Sequence, residues 1–271
     1  MRIFLAVMAF SFVLFGRETV FEANFDEYHV TAKGQQGQIF ADWENPDLQL
    51  RMFPGAAGTL NALCLNAAER CSYPSEGFRK WEQGSLTLWL QLYNWDMSIK
   101  EKIVFFQANT GKNTLTILKT QTPWNLQIQL ANKGQVRTLE ILVHPEQWPS
   151  ERWQRLDVFW TASQFGLLLN AQEQPATSAQ IPALPVLFPG QLICNADVPR
   201  GINGSIAYDG IILRDVPLPP EKIKEEYQAQ KALALKSEGR RDQQLVSIPR
   251  ILASIEADGQ LTDPLWQKAT R

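Results

Sequence analysis

Between Val20 and Asp215 apolar and polar residues alternate in short runs closed by turn residues. The clearest run is Gly84 to Gln91, with Leu86, Leu88 and Leu90 on one side and Ser85, Thr87, Trp89 and Gln91 on the other. A two-residue period predicts a strand with one face in a core. Phe21, Ala23 and Phe25 share a face in the first such run, and further strands are predicted at 103–106, 114–118, 124–130 and 138–143. Asn109-Thr-Gly111 and Asn132-Lys-Gly134 predict hairpins between them. Trp153 to Trp160 and Phe165 to Asn170, parted by Thr161-Ala-Ser-Gln164, predict another. Within it Leu156 and Val158 share a face, and Trp153 and Trp160 point to opposite ones. Nothing before residue 218 sustains a helical period. The predicted fold is all-β, a two-sheet antiparallel jelly-roll sandwich, followed by a C-terminal helix and a short extended tail.

The ends of the chain carry different patterns. Met1-Arg2, the apolar stretch Ile3 to Phe15 broken only by Ser11, and Gly16 have the layout of a secretory signal peptide over residues 1–16. The stretch is shorter than the roughly 20 residues a membrane-spanning helix needs. The expected location is therefore secreted, periplasmic or cell-surface, with no stable membrane span once the signal is removed. The sandwich is expected over 17–217. At Pro217-Leu-Pro-Pro220 the composition shifts to a helix, expected over 218–238, with Glu221, Glu225 and Glu226 early and Lys231 and Lys236 late. Ile223 and Tyr227, four residues apart, are placed to lie against the sandwich. A polar linker (239–246) and the incomplete start of a second β domain (247–271) are expected after it.

Composition narrows the classes. Hydrophobic content of 45% and charged content of 20% are those of a globular chain, and nine Trp with fourteen Phe suit the space between two sheets. Formal net charge is -2, and no block of Lys and Arg offers a track for phosphates, so nucleic acid is not an expected partner. The three cysteines leave two readings open: buried thiols acting as small apolar groups, or a Cys64–Cys71 bridge that export would permit. His29 and His144 lie far from each other and from any cysteine pair, which argues against zinc.

Five segments resemble the laminin-G-like, concanavalin A-like jelly-roll domains of exported bacterial proteins. Gly84-Ser-Leu-Thr-Leu-Trp-Leu resembles that family's "G-T-x-S-x-W-x-K" strand, and Asn94-Trp95-Asp96 the turn after it. Trp153 to Trp160 resembles "W-H-H-V-A-x-T-W", and Phe165 to Asn170 "L-x-L-Y-V-N-G". Gly204 to Tyr227 resembles "G-x-I-D-D-V-R-I-Y-D-R-A-L-S-x-E-E-I…Y". Two departures stand out: Ala171 replaces the usual turn glycine, implying a looser hairpin, and Gly210 replaces the second Asp of the "D-D" pair. Ile255 to Ala269 resembles the opening of a family-nine-type carbohydrate-binding module, without its sugar-stacking aromatics.

The resemblance implies a non-catalytic binding module of an exported multidomain protein, with a polysaccharide or other glycan as ligand. Sandwich hydrolases carry acid and nucleophile as E-x-D-x-x-E or E-x-D-x-E on one strand, a spacing this chain lacks; G-x-S-x-G, H-E-x-x-H and a P-loop are missing too. Glycan-stacking candidates are Trp89, Trp95, Trp124 and Trp148, with Trp43 and Trp81 behind them; core packing is the competing role for each. Asp96 and Asp209 are the calcium candidates that the resemblance brings, against a turn or capping role; no other cofactor is expected. The alternative function is a structural or protein–protein interaction sandwich, and a glycoside hydrolase or lyase of the same fold stands behind both.

Overall fold

The structure, a computed structural model, describes residues 19–25, 31–34, 37–39, 42–43, 51–53, 55–56, 61–67, 69–74, 83–109, 113–132, 135–161, 165–173, 190–199 and 201–244. The expected signal peptide and the expected second-domain start lie outside these residues. Among them are β1 (Thr19–Ala23), β2 (Ala32–Gly34), β3 (Gly37–Ile39), β4 (Asp42–Trp43), β5 (Arg51–Phe53), β6 (Ala62–Asn66) and β7 (Cys71–Pro74). The middle of the chain forms β8 (Gly84–Tyr93), β9 (Ile103–Asn109), β10 (Asn113–Lys119), β11 (Asn125–Asn132) and β12 (Gln135–Leu142). Then come β13 (Gln154–Trp160), β14 (Phe165–Leu169), β15 (Gln172–Glu173), β16 (Gln191–Asp197), β17 (Ser205–Arg214) and the helix α1 (Pro220–Gln244).

The strands form two antiparallel sheets packed as a sandwich. The first runs β15-β14-β13-β8-β17-β1-β2-β3, with β6 also beside β17 and β5 beside β6; the second runs β12-β11-β10-β9-β16-β7-β4. The alternation read from the sequence decides what lies between them. Leu86, Leu88, Leu90 and Leu92 of β8 are fully buried and face inward with Leu156, Val158 and Trp160 of β13. Leu126, Ile128 and Leu130 of β11 and Leu139 and Ile141 of β12 come from the opposite sheet. Trp160 is in this core and Trp153 outside it, as the two-residue period requires.

The β13–β14 pair is the expected hairpin, with Leu156 opposite Leu169 and Trp160 opposite Phe165. The next turn corrects the expectation for Ala171. Leu169 pairs with Gln172, so only Asn170 and Ala171 connect β14 to β15, and both have positive φ, 52° and 61°. That is a tight two-residue turn of the kind whose twist suits a hairpin. A glycine would adopt it more easily, but the Ala171 methyl is buried with Leu168, Leu218 and Ile223. The side chain that strains the turn thus packs beneath the helix.

Helix α1 lies on the outer face of the first sheet, with Ile223 fully buried and Phe159 and Tyr227 packed beside it. It runs past the expected boundary at residue 238, so 239–244, expected to be linker, are helical. A single Gly239 costs a helix only about 1 kcal/mol relative to alanine, and the Arg and Gln residues after it are good helix formers.

The Cys64–Cys71 bridge is not formed: all three cysteines are buried thiols. Cys64 sits on β6 of the first sheet between the core residues Leu63 and Leu65, which turns it to the outer face. Cys71 sits on β7 of the second sheet, inside the core. Seven residues of spacing brought them close in sequence only.

Candidate functional site

The outward positions of three adjacent strands converge under α1. Thr87 comes from β8, Arg155 and Asp157 from β13, and Arg214 from β17. Arg155 donates Nε and Nη2 to the two carboxylate oxygens of Asp157, each at 2.8 Å. Thr87 Oγ1 donates to Asp157 Oδ1 at 2.8 Å and accepts from Arg214 Nη1 at 3.0 Å. From the helix, Glu226 reaches Arg155 at 3.2 Å and Arg214 at 3.5 Å, and Gln230 Oε1 accepts from Arg155 Nη1 at 2.6 Å. Two guanidinium groups thus face two carboxylates. Burial pushes the Asp157 carboxyl above its ordinary value, while Arg155, Thr87 and Arg214 pull it back. This cluster holds the helix to the sheet in place of a large apolar stripe.

Beside it Trp89 faces outward from β8, yet it is only 3% exposed. Tyr227 of α1 stacks on its indole, centroids 5.9 Å apart and planes 20° apart, and Lys231 lies 5.8 Å above the Tyr227 ring. Gly210, at φ +53° beside the bulge between Asp209 and Ile212, seats the other side. A Cβ there would come to 3.0 Å from Trp89 Cδ1, so a side chain at this position would crowd the ring. That is the structural use of the glycine standing where the resembled family has aspartate.

Where α1 meets the turn after β12, a cleft of about 220 Å³ opens. Trp89, Trp153, Asn170 and Tyr227 line it with Arg152 and Lys231, and Glu146 and Gln154 also border it. Its loop is pinned from inside: Trp148 is fully buried against Phe105 (6.2 Å), the Glu151 N–H donates to Leu92 O (2.9 Å), and Gln91 Nε2 donates to Glu151 O (2.5 Å). Asn170 is fixed by donating to Gln154 Oε1 (2.6 Å) and accepting the Arg155 N–H (2.9 Å). Aromatic surface beside amides and charged ends is the chemistry that holds a polar ligand with an apolar face.

Of the four stacking candidates, Trp89 alone enters this cleft, and there it is covered by Tyr227. Trp95 and Trp148 lie in the core on the two sides of Phe105's contacts, at 6.3 Å and 6.2 Å. Trp95 Nε1 donates to Ser205 O at 3.1 Å. Trp124 is partly buried against the same core, at φ 58°. Trp95 and Trp148 are thus packed within the core, and Trp124 rests against it with part of its surface uncovered. Trp81 and the Trp43 side chain lie outside the described residues. The sequence reading missed Trp153, Asn170 and Tyr227 as a set, and the Arg155–Asp157 cluster altogether. Its signal was available: two opposite charges at alternate positions of a strand whose other face is Leu156, Val158 and Trp160.

The calcium candidates have turn and strand roles. Asp96 Oδ1 accepts the Ser98 N–H (2.8 Å), closing a turn. Asp209 accepts the N–H groups of Ala56 and Gly210, each at 2.7 Å. Asp209 pairs with Trp89 within β8, while Asp96 lies in the turn beyond Tyr93, where that strand ends. They do not form one site. Near Asp96 the cation is Lys119, fully buried, whose Nζ donates to the carbonyl oxygens of Ile99, Glu101 (3.3 Å) and Thr120 (2.8 Å). Burial lowers its pKa, and Glu101 and Asp96 push it back up. Among the described residues no three His, Cys, Asp or Glu gather where they would hold a metal ion.

No family model matches the sequence, and no curated protein matches it. Solved structures do. The receptor binding domain of botulinum neurotoxin D is similar over 78% of this chain and 52% of that one, with TM-score 0.61 and 10% identity. The same domain of the C/D mosaic serotype gives 0.63 and 10%, over 78% and 51%. The serotype D ligand binding domain in complex with N-acetylneuraminic acid gives 0.59 and 9%, over the same shares. The fold is shared. At this identity nothing beyond the fold is shown, and the chain spans about half the length of these structures.

Proposed function

We propose that the chain is a non-catalytic binding module of an exported protein, and that its ligand is a glycan held in the cleft between α1 and the loop after β12. The observation that carries the reading is the convergence there of Trp153 and Tyr227 with the amides of Asn170 and Gln154. A sugar ring has an apolar C–H face and a hydroxyl rim, which match an aromatic plane and an amide edge. The likeness to receptor and ligand binding domains supports binding over catalysis. The signal-peptide pattern supports export.

Affinity electrophoresis against a panel of soluble polysaccharides tests this. One or more glycans should retard the protein, and Trp153→Ala should abolish the retardation while leaving the melting transition intact. Free migration through every glycan, or equal retardation of Trp153→Ala, removes the cleft as a sugar site. A protein-docking reading is favoured by one observation, the exposure of Val136 and Leu142 on the edge strand β12.

A further inference from the structure

Cys71 and Cys194 are direct partners in the antiparallel β7–β16 ladder, and both point into the core. Opposed Cα atoms in such a ladder are ~4.5 or ~5.5 Å apart depending on the hydrogen-bonding pattern. Both values fall inside the ~4.4–6.8 Å range that a disulfide spans. Cys64 is excluded, because it is on the other sheet and faces away from the core between Leu63 and Leu65. We propose that Cys71 and Cys194 are a covalent modification site: they close into a cross-strand disulfide when the chain folds in the presence of a disulfide oxidant, and Cys64 stays a thiol.

The chemistry balances with one equivalent of a small disulfide. One cysteine thiolate attacks a sulfur of glutathione disulfide and releases one glutathione. The second cysteine thiolate attacks the resulting mixed disulfide at the first cysteine's sulfur and releases the other. The two thiol protons end on two glutathione thiols, and the two electrons given up by the cysteines reduce the oxidant. Exchange requires a thiolate. In the finished fold burial, with Cys71 alongside, pushes the Cys194 thiol well above its ordinary value, and both side chains are at most 1% exposed. The bond therefore forms before β7 and β16 finish closing. The site is independent of the glycan cleft, whose loop and helix it does not touch.

The test is a thiol map of the full chain, refolded from denaturant with oxidised and reduced glutathione and then alkylated with iodoacetamide under denaturing conditions. The expected protein is two hydrogens lighter than the reduced form and takes one alkyl group, on Cys64, with the Cys71 and Cys194 peptides linked. Cys64→Ser should keep the link and take no alkyl group; Cys194→Ser should lose the link and take two. Native reduced protein given the same oxidant should form the link far more slowly than the refolding chain. Alkylation of all three wild-type cysteines after refolding, a glutathione adduct in place of the link, or a link through Cys64 each overturns the proposal. The wild-type map and Cys64→Ser decide it even if Cys194→Ser does not fold.

Discussion

The two faces of β8 are buried by opposite means. Inward, Leu86, Leu88, Leu90 and Leu92 meet the apolar side chains of a second sheet. Outward, Ser85, Thr87, Trp89 and Gln91 are also buried, each at most 3% exposed, but under a helix and loop that reach them through ions, amides and one ring stack. The apolar face needs only bulk and shape, since burial is roughly proportional to area. The polar face needs particular partners, because each desolvated charge must find its counterpart. One face defines that the strand is in a core. The other defines what may lie on top of it.

Substitutions that treat the two faces alike should separate them. Arg155→Met leaves Asp157 buried without its guanidinium and should cost about 4 kcal/mol, since removing one member of a buried pair is worth roughly 3–5. Urea unfolding measures it, and a loss under about 1 kcal/mol would mean that water reaches the cluster. The double change Arg155→Met, Asp157→Leu should recover most of that loss. Leu88→Ala, on the inner face, should cost about 3 kcal/mol through transfer and cavity terms together, with no second change able to restore it cheaply. Tyr227→Ala should cost about 1.5 kcal/mol, a ring contact with some area, and should shift tryptophan emission to longer wavelength as Trp89 meets solvent. Unchanged emission would mean that the helix does not cover the indole. Smallest is Ala171→Gly. Relief of a left-handed alanine, about 1 kcal/mol, opposes loss of a buried methyl, about 0.8 kcal/mol, so the midpoint should move by less than about 1 kcal/mol, and a larger fall would show that packing under α1 outweighs the turn.

The same comparison explains which parts of the molecule were legible in the sequence. Alternation in β8 and β13 is a local property, so the strands, the Trp160 face and the hairpin could be read directly. Trp89 was placed on the outer face for the same reason. What could not be read is that outward differs from exposed here: the cover comes from Tyr227, far along the chain, and no local period encodes it. The burial of Trp95 and Trp148 was hidden for the same reason. Trp95 and Trp148 flank Phe105 because loops fold inward at the sandwich end, which depends on contacts across the two sheets. Of the two cysteine readings, the bridge rested on sequence distance where sheet membership decides. Ala171 misled in a different manner, because turn statistics weigh φ alone while the helix above uses the methyl.

Lys119 has a consequence of another kind. The rim turn from Asp96 to Glu101 gathers carbonyl oxygens around a positive charge, much as a mineral ion would be gathered, but this charge is tethered to β10 by its own carbon stem. A tethered ion cannot diffuse out of its site. Chelators cannot strip it, dilution cannot empty it, and the turn keeps its counter-charge whatever the salt composition around the protein.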